Sequence, residues 1–229
     1  MSGMQKVSCI IPAYNEAARI RDVLRAAVGH PYVSEVIAVD DGSRDGTGDA
    51  VRQFAGVRII THAKNEGKCR TIADGIEASR EDILLFLDAD LMGLMPDDIS
   101  RLVEPVISGR ADVAISLRKN APPYYRAIGL DFISGERVLR RELLTNHLNE
   151  IRKLPGFGFE VYMNGLIVKN RCRIKVVPWV NVISPWKHTK AGFWKGIAGE
   201  IRMNFQVLKT VSALGALRQM LAMRALRVS

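Results

Sequence analysis

Short apolar segments recur along the first half of the chain, and polar or turn-forming residues bound each of them. These segments are rich in Val, Ile and Leu and cover residues 7–11, 36–39, 57–60, 83–87 and 113–117. Continuous apolar runs of this length are typical of strands that are buried on both faces of a sheet. The pattern therefore predicts five buried β-strands.

Segments with helical periodicity lie between these strands, at residues 16–28, 46–54, 67–79 and 97–107. Regular alternation of strand and helix predicts an α/β fold with a mainly parallel central sheet and helices on both faces. Beyond residue 120 the alternation weakens. There the pattern predicts helices near residues 136–146 and 159–170 and a strand near residues 173–177.

Composition places the chain among globular proteins. Its 229 residues are 48% hydrophobic and 25% charged, which suits one domain with a substantial core. The three cysteines are scattered and form no CxxC pair, so we expect reduced thiols in a cytoplasmic protein. The amino-terminal segment lacks the apolar core of a secretory signal, which also disfavours secretion.

Positive charge is concentrated near the carboxyl terminus. The net charge is +9, and residues 187–229 contain eight Lys or Arg and one acidic residue. Apolar residues between Ile197 and Leu221 recur there at three- and four-residue spacings. Such a basic amphipathic stripe can lie on an anionic membrane surface, or it can pack on the domain or on another subunit.

Polar clusters follow three of the predicted strands, where open α/β sheets bind their ligands. The clusters are Pro12-Ala13-Tyr14-Asn15-Glu16, Asp40-Asp41-Gly42-Ser43 and Asp88-Ala89-Asp90. Two carboxylates one residue apart, such as Asp88 and Asp90, can face one hard cation, and Mg²⁺ or Mn²⁺ is the natural occupant. A carboxylate at Asp40 or Asp41 can accept hydrogen bonds from a base or ribose.

Some of these residues have a simpler structural interpretation. Asp45 or Thr47 can cap the helix predicted after the second strand. The chain has no GxGxxG after the first strand, no GxxxxGK[ST] and no GxSxG. These absences disfavour a dehydrogenase, a P-loop enzyme and the commonest α/β hydrolases.

Four motifs in order resemble the signature of family 2 glycosyltransferases: Pro12-Ala13-Tyr14-Asn15-Glu16, Val39 to Thr47, Asn65-Glu66-Gly67-Lys68 and Asp88-Ala89-Asp90-Leu91. The resemblance covers about residues 6–118 and implies a GT-A fold that binds a nucleotide-sugar donor. It implies that Asp88 contacts the ribose and that Asp90 binds the metal ion. It further implies nucleotide contacts from Pro12, Tyr14, Glu16, Asp40 or Asp41, and Lys68.

The second half looks most like the polyprenyl- or dolichyl-phosphate sugar synthases, through residues 131–137 and 156–160. Those relatives usually carry a Gln soon after D-x-D, where this chain has Met92. In several GT-A relatives a late histidine closes the metal site, and His188 could do so here or simply form hydrogen bonds. Four cations could face a diphosphate or an acceptor phosphate, or be surface charges: Arg118, Arg137, Lys187 and Lys190.

The chemistry of the acceptor decides whether a base is needed. A cation at Asp90 would stabilise the nucleoside diphosphate as it leaves, and attack from the opposite face inverts the anomeric centre. A hydroxyl acceptor requires a general base, for which Asp131 and Glu160 are candidates, whereas a phosphate acceptor is already ionised. We divide the chain into a catalytic domain, residues 1–186, whose nucleotide half ends near residue 118, and a helical segment, residues 187–229.

The leading hypothesis is transfer of a hexose from a UDP- or GDP-sugar to a polyprenyl phosphate, by a cytoplasmic protein that is peripheral on the inner face of the membrane. The first alternative is a soluble transferase with a small phosphorylated or sugar acceptor such as phosphoglycerate. The second is a catalytically silent protein that binds a nucleotide sugar or a nucleic acid, the latter suggested only by the basic tail. We expect no nucleic-acid partner, and a homodimer remains open.

Overall fold

The computed structural model describes residues 5–155, 158–185 and 212–228. Seven strands form one sheet in the order β3-β2-β1-β4-β6-β5-β7. Only β6 runs antiparallel to its neighbours β4 and β5. The strands are β1 (Val7–Ala13), β2 (Val33–Asp40), β3 (Val57–Thr61), β4 (Ile83–Phe86), β5 (Val113–Arg118), β6 (Arg137–Arg140) and β7 (Ile174–Trp179).

Helices cover both faces of the sheet, which confirms the predicted α/β class. The described helices are α1 (Ile20–Ala27), α2 (Thr47–Arg52), α3 (Lys68–Ala78), α4 (Pro96–Ile107), α5 (Pro123–Ile128), α6 (Glu142–Thr145), α7 (Leu148–Ile151), α8 (Gly158–Lys169) and α9 (Ala213–Ala225). Side chains of α1, α2 and α4 pack in one core cluster, and those of α3 and α8 in the other.

Alternation along the central strands divides side chains between these two clusters. Cys9 and Leu85 pack on the face covered by α1 and α4, whereas Ile10 and Leu84 pack on the face covered by α3 and α8. All four are fully buried. Burial of one large aliphatic side chain contributes about 1.5–3 kcal/mol, which accounts for the apolar runs of β1, β2, β4 and β5. The prediction of a buried strand at residues 57–60 is wrong in its burial, because β3 lies at the end of the strand order and its residues are half-buried or exposed.

The helix predicted near residues 136–146 is wrong in its first half. Residues 137–140 form β6, which lies between β4 and β5 and pairs Leu139 with Leu84 and Val138 with Ala114. Val138 and Leu139 bury in opposite core clusters. This two-sided burial and the ladder bonds outweigh the helical preference of the local sequence.

The first helix also begins later than predicted, at Ile20 rather than at residue 16. The backbone N–H groups of Glu16 and Ala17 instead donate to Thr47 Oγ1 and Asp45 Oδ2 in the loop after β2. Those contacts hold residues 16–19 in turns. They tie together the two loops in which the first two sequence motifs lie.

The last described helix, α9, packs on α8 through one face only. Ala216, Met220 and Met223 contribute to the core cluster, whereas Leu214, Leu217 and Leu221 are 50–58% exposed. The apolar stripe predicted from the sequence therefore lies on the outer face of α9 where it is described; its part in residues 197–211 lies outside the described residues. None of the described helices has the length and apolar content needed to cross a membrane.

The chain order places a crevice at the carboxyl ends of the central strands. From β1 the chain moves outward through β2 and β3, then returns to place β4 on the other side of β1. Such a switch point is where open α/β sheets bind their ligands. Asp40 ends β2, and Asp88 and Asp90 closely follow β4, so the sheet brings the polar clusters to one edge.

Candidate active site

The loops after β1 and β2 are joined by paired hydrogen bonds. Asn15 N donates to Ser43 Oγ at 2.9 Å, and Arg44 N donates to Asn15 Oδ1 at the same distance. Asn15 has a φ of 55°, a left-handed conformation that asparagine tolerates better than most residues. The arrangement presents Tyr14 with 46% of its surface exposed, beside half-buried Pro12.

The N-cap of α2 is Gly46, so neither Asp45 nor Thr47 takes that position; Asp45 lies one residue before it. Its Oδ1 accepts from Thr47 N at 3.0 Å at the start of α2, and its Oδ2 accepts from Ala17 N at 3.0 Å. Burial alone would raise the pKa of Asp45, but hydrogen bonds from Thr47 and Ala17 outweigh it and hold the pKa below its usual range. Asp45 thus supports the loop.

Asp40 and Asp41 are both buried but have different surroundings. Asp40 Oδ1 accepts from Ser43 N at 3.1 Å. Asp41 uses both carboxylate oxygens on protein donors, with Glu66 N on Oδ1 at 2.8 Å and Gly67 N on Oδ2 at 2.9 Å. Asp41 therefore ties β2 to the start of α3, and Asp40 is the better candidate for contact with a base or ribose.

Lys68 joins two carboxylates from distant parts of the chain. Its Nζ donates to Asp88 Oδ1 and to Glu160 Oε1, each at 2.9 Å. Burial disfavours its charge, but the two carboxylates outweigh this and raise the pKa of Lys68. Burial likewise opposes charge on Asp88, yet Lys68 and then Arg118 hold the pKa of that carboxyl below its usual range. Lys68 thus joins the loop after β4 to the start of α8.

Arg118, the last residue of β5, bridges two fully buried carboxylates. Its Nη2 donates to Asp131 Oδ2 at 3.2 Å, and its Nη1 donates to Glu136 Oε1 at 3.5 Å. Burial opposes its charge, but Glu136, Asp131 and Asp88 together raise the pKa of Arg118 above its ordinary value. Arg118 thus remains a cation with 12% of its side chain exposed.

Glu136 was not singled out as a site residue by the sequence, yet it lies at the centre of this cluster. Its Oε2 accepts from Ser116 Oγ at 2.8 Å and from Ser134 Oγ at 2.9 Å. Burial raises the pKa of Glu136, and the charge of Asp88 adds to it, although Arg118 opposes both. Its contacts come from residues up to 20 positions away, so no local motif could reveal them.

Arg137 is fully buried and donates to protein acceptors. Its Nε and Nη2 donate to Ser134 O and Phe132 O, at 2.8 and 2.9 Å, and its Nη1 donates to Asn164 Oδ1 at 2.5 Å. Burial lowers the pKa of Arg137 to about 10. This guanidinium supports the segment before β6 and offers no exposed surface to an acceptor phosphate.

Asp90 lies beside the segment that follows β7. Ser184 Oγ donates to Asp90 Oδ1 at 3.2 Å, and Met92 and Ile183 form an antiparallel bridge next to it. Asn120 Nδ2 further donates to Ser184 O at 2.6 Å. The description of this segment stops at residue 185, so Lys187, His188 and Lys190 lie outside it.

The carboxylates that follow β4 supply only some of the ligands that a hard divalent cation requires. Asp88 and Asp90 supply carboxylate oxygens, which Mg²⁺ and Mn²⁺ prefer. Within residues 5–155, 158–185 and 212–228, no group of three His, Cys, Asp or Glu side chains is placed to hold a metal ion. A complete coordination shell would therefore need a further ligand from the nucleotide-sugar donor, from water or from another residue of the chain.

Comparisons with known proteins assign the chain to a family. The family model for glycosyl transferase family 2 matches residues 8–163. An undecaprenyl-phosphate 4-deoxy-4-formamido-L-arabinose transferase of Pseudomonas paraeruginosa is 38% identical over 125 residues, covering 50% of this chain and 36% of that protein. A dolichol-phosphate mannosyltransferase of Pyrococcus furiosus is 28% identical over 205 residues, covering 76% of this chain and 56% of that protein.

Among solved structures, glucosyl-3-phosphoglycerate synthase of Mycobacterium tuberculosis, in complex with Mn²⁺, UDP and glucosyl-3-phosphoglycerate, has a TM-score of 0.66. It is 25% identical, with 90% of this chain and 80% of that chain covered. The chain has a fold of the GT-A type. The chain belongs to glycosyl transferase family 2, and it spans about a third to a half of the length of the two curated relatives.

Proposed function

We propose that the chain is an inverting, metal-dependent glycosyltransferase that moves a hexose from a UDP- or GDP-sugar to a polyprenyl phosphate at the cytoplasmic face of a membrane. The observation that carries this proposal is the placement of Lys68 against Asp88 and Glu160 at the carboxyl ends of the sheet. It joins the half of the chain assigned to the nucleotide with the half assigned to the acceptor.

In this proposal the nucleotide lies along the loops after β1 and β2. Asp40 accepts from the base or ribose, because Asp41 already uses both of its oxygens on the start of α3. Pro12, Tyr14 and Glu16 form the adjoining wall; Tyr14 has the exposed ring needed for stacking. The Lys68 ammonium adjoins the diphosphate.

The cation, Mn²⁺ or Mg²⁺, would be held by Asp88 and Asp90, with His188 as a third protein ligand. A divalent cation there supplies positive charge to the leaving diphosphate. The contact between Ser184 and Asp90 favours the His188 assignment. His188 comes only four positions after Ser184 in the sequence. Mn²⁺ accompanies UDP in the mycobacterial neighbour, which supports the choice of metal.

The state of the candidate bases favours a phosphate acceptor. A general base must reach the acceptor proton and must be able to accept it. Asp131 is fully buried, with Oδ2 bonded to Arg118 and Oδ1 to Ile133 N. Glu160 is also fully buried, with Oε1 bonded to Lys68. An ionised phosphate needs no such base, and both curated relatives act on a polyprenyl or dolichyl phosphate.

Cations near the site provide contacts for the acceptor phosphate. Arg118 keeps its charge and a partly exposed side chain at the end of β5. Lys187 and Lys190 follow the segment that lies beside Asp90 and complete the proposed set. Arg137 is left out of this set, because its donors are directed to protein acceptors in the interior.

The outer face of α9 provides a membrane contact. Leu214, Leu217 and Leu221 form an exposed apolar stripe, and Arg218 and Arg224 are exposed next to it. Leucines between arginines suit the boundary of an anionic bilayer, where apolar groups enter the acyl region and cations meet headgroups. This contact would place the crevice near a lipid-borne acceptor.

The test is transfer of labelled sugar from UDP-, GDP- and dTDP-sugars, with Mn²⁺, to a short-chain polyprenyl phosphate. We expect label in the organic phase with one donor. Release of nucleotide without lipid label would overturn the lipid acceptor and leave the transferase intact. Absence of both, in protein shown to be folded and with both Mn²⁺ and Mg²⁺ supplied, would contradict the donor assignment.

A second candidate acceptor is a small phosphorylated molecule such as phosphoglycerate. It is favoured by the similarity to the mycobacterial synthase, which covers 90% of this chain. The same assay with 3-phosphoglycerate separates the two, because its product stays in the aqueous phase. Aqueous product and no lipid product would decide for this candidate.

A further inference from the structure

We propose that His62 is a positioning residue for the nucleotide-diphosphate site and acts on Lys68 through Asp41. The inference rests on the proposed donor and assigns a role to a residue outside the four sequence motifs. His62 directly follows β3 and is nearly buried, with 9% of its side chain exposed. It reaches the site only through other residues.

The imidazole of His62 lies between two carboxylates. Its Nδ1 is 2.8 Å from Asp41 Oδ1, and its Nε2 is 3.1 Å from Asp74 Oδ2. Each ring nitrogen is therefore within hydrogen-bond distance of a different carboxylate. The two contacts, from opposite sides, hold the ring, and through it the Asp41 carboxylate, in one orientation.

Asp41 transmits this orientation to the start of α3. Its Oδ1 also accepts from Glu66 N, and its Oδ2 accepts from Gly67 N. Gly67 has a φ of 98°, a conformation for which glycine is suited, and the next residue, Lys68, begins the helix. The position of the Lys68 backbone therefore depends on the carboxylate that His62 holds.

Asp74, on the other side of the His62 ring, is held by Arg152. Asp74 Oδ1 accepts from Nε and Nη2 of Arg152 at 3.1 and 3.0 Å, and Arg152 also pairs with Glu77. Arg70 lies between Glu66 and Asp74, 3.9 Å from Asp74 Oδ2. Asp74 lies in α3, so His62 links the body of that helix to Asp41, which holds the residues before its start.

The test compares two substitutions of His62. His62→Leu removes both ring nitrogens, whereas His62→Gln keeps an amide that can donate to one carboxylate. Binding is measured by calorimetry with UDP or GDP, whichever the unaltered protein binds, and with the corresponding nucleoside. We expect His62→Leu to weaken diphosphate binding about tenfold, within the range of coupling between connected residues. Nucleoside binding should change less than about twofold, and His62→Gln should restore part of the loss.

A double-substitution cycle with Lys68→Met identifies the route. If His62 acts through Lys68, His62→Leu should have little further effect on diphosphate affinity once Lys68 is replaced. An equal effect in both backgrounds would overturn the proposal, as would equal losses for diphosphate and nucleoside. His147→Gln is the matched control, because its imidazole Nδ1 pairs with Tyr162 OH on the side of α8. It should leave both affinities unchanged.

Two further outcomes keep this inference separate from the proposed function. If the unaltered protein binds neither UDP nor GDP, the proposed donor fails. If it binds one of them and the His62 variants bind it equally well, only the role of His62 fails. Should His62→Leu not fold, as judged by thermal unfolding, the comparison of His62→Gln with His147→Gln gives the decision: unchanged diphosphate affinity in His62→Gln overturns the inference.

Discussion

Lys68 Nζ lies 2.9 Å from Glu160 Oε1, although 92 residues separate the two positions. Lys68 begins α3, and Glu160 lies in the first turn of α8, so the contact joins helices from the two halves of the chain. Glu160 Oε2 has no hydrogen-bond partner within the described part of the chain. Lys68 bonds directly to this fully buried carboxylate, and the buried guanidinium of Arg137 contributes further positive charge.

Replacing Lys68 by Met should destabilise the fold. The change leaves Glu160 as a buried carboxylate without its cation, and loss of one partner from a buried pair costs on the order of 3 kcal/mol. Urea unfolding measures the loss. Lys68→Met with Glu160→Gln should recover much of it, and Lys169→Met at the exposed end of α8 should have little effect. A Lys68→Met protein as stable as the parent would contradict the pairing.

Glu160→Gln alone distinguishes a structural carboxylate from a catalytic base. The amide oxygen can still accept from Lys68, so the fold should be retained. With a polyprenyl phosphate acceptor we expect kcat to fall less than about tenfold, whereas loss of a general base costs about 10²–10⁴. A fall of the larger size would contradict a purely structural role and show that the Glu160 carboxylate takes part in the reaction.

Asp90→Asn should abolish most of the transfer activity. The amide is neutral and holds a divalent cation more weakly, and loss of charge stabilisation at a leaving group costs about 10²–10³ in kcat. Titration with Mn²⁺ in the presence of nucleotide should show weaker metal binding. Asp97→Asn, at the exposed start of α4, is the control. Unchanged Mn²⁺ affinity in Asp90→Asn would refute the metal assignment.

The central sheet and the order of its motifs could be predicted from the sequence, because buried parallel strands carry continuous apolar runs. β6 could not, since residues 137–140 become a strand only by pairing between β4 and β5. The same limit applies to the site. Asp40 and Asp41 look alike in the sequence, whereas in the structure Asp41 accepts from Glu66 and Gly67, which are 25 and 26 residues away from it.

Gly135→Ala should lower activity through the Asp88 carboxylate. A Cβ atom at position 135 would lie 2.7 Å from Asp88 Oδ2, so the carboxylate would have to move away from its place beside Lys68. We expect a loss of kcat of about tenfold or more, since small displacements of a site cost up to 10²-fold. Gly165→Ala, where the nearest atom is 3.3 Å away in Gln219, is the control. Equal activity of the two variants would argue against a role for Asp88 in this position.

The exposed leucines on the outer face of α9 lead us to expect that this face binds an anionic membrane surface. Replacing Leu214, Leu217 and Leu221 together by Gln removes the apolar stripe and leaves the face that packs on α8 unchanged. Binding to vesicles that contain phosphatidylglycerol should fall more than about tenfold, because each leucine contributes apolar area to the interface. Binding by the parent protein should also weaken with salt, because Arg218 and Arg224 meet anionic headgroups.

Met95→Gln is a suitable control for this experiment, because Met95 is 60% exposed on a different part of the surface. It should bind vesicles like the parent protein. Undiminished binding by the triple variant would exclude this face as the membrane contact. A further outcome is that neither protein binds vesicles, while the parent protein sediments as a dimer and the triple variant as a monomer. The leucines would then face a second copy of the chain, and α9 would no longer support a lipid acceptor.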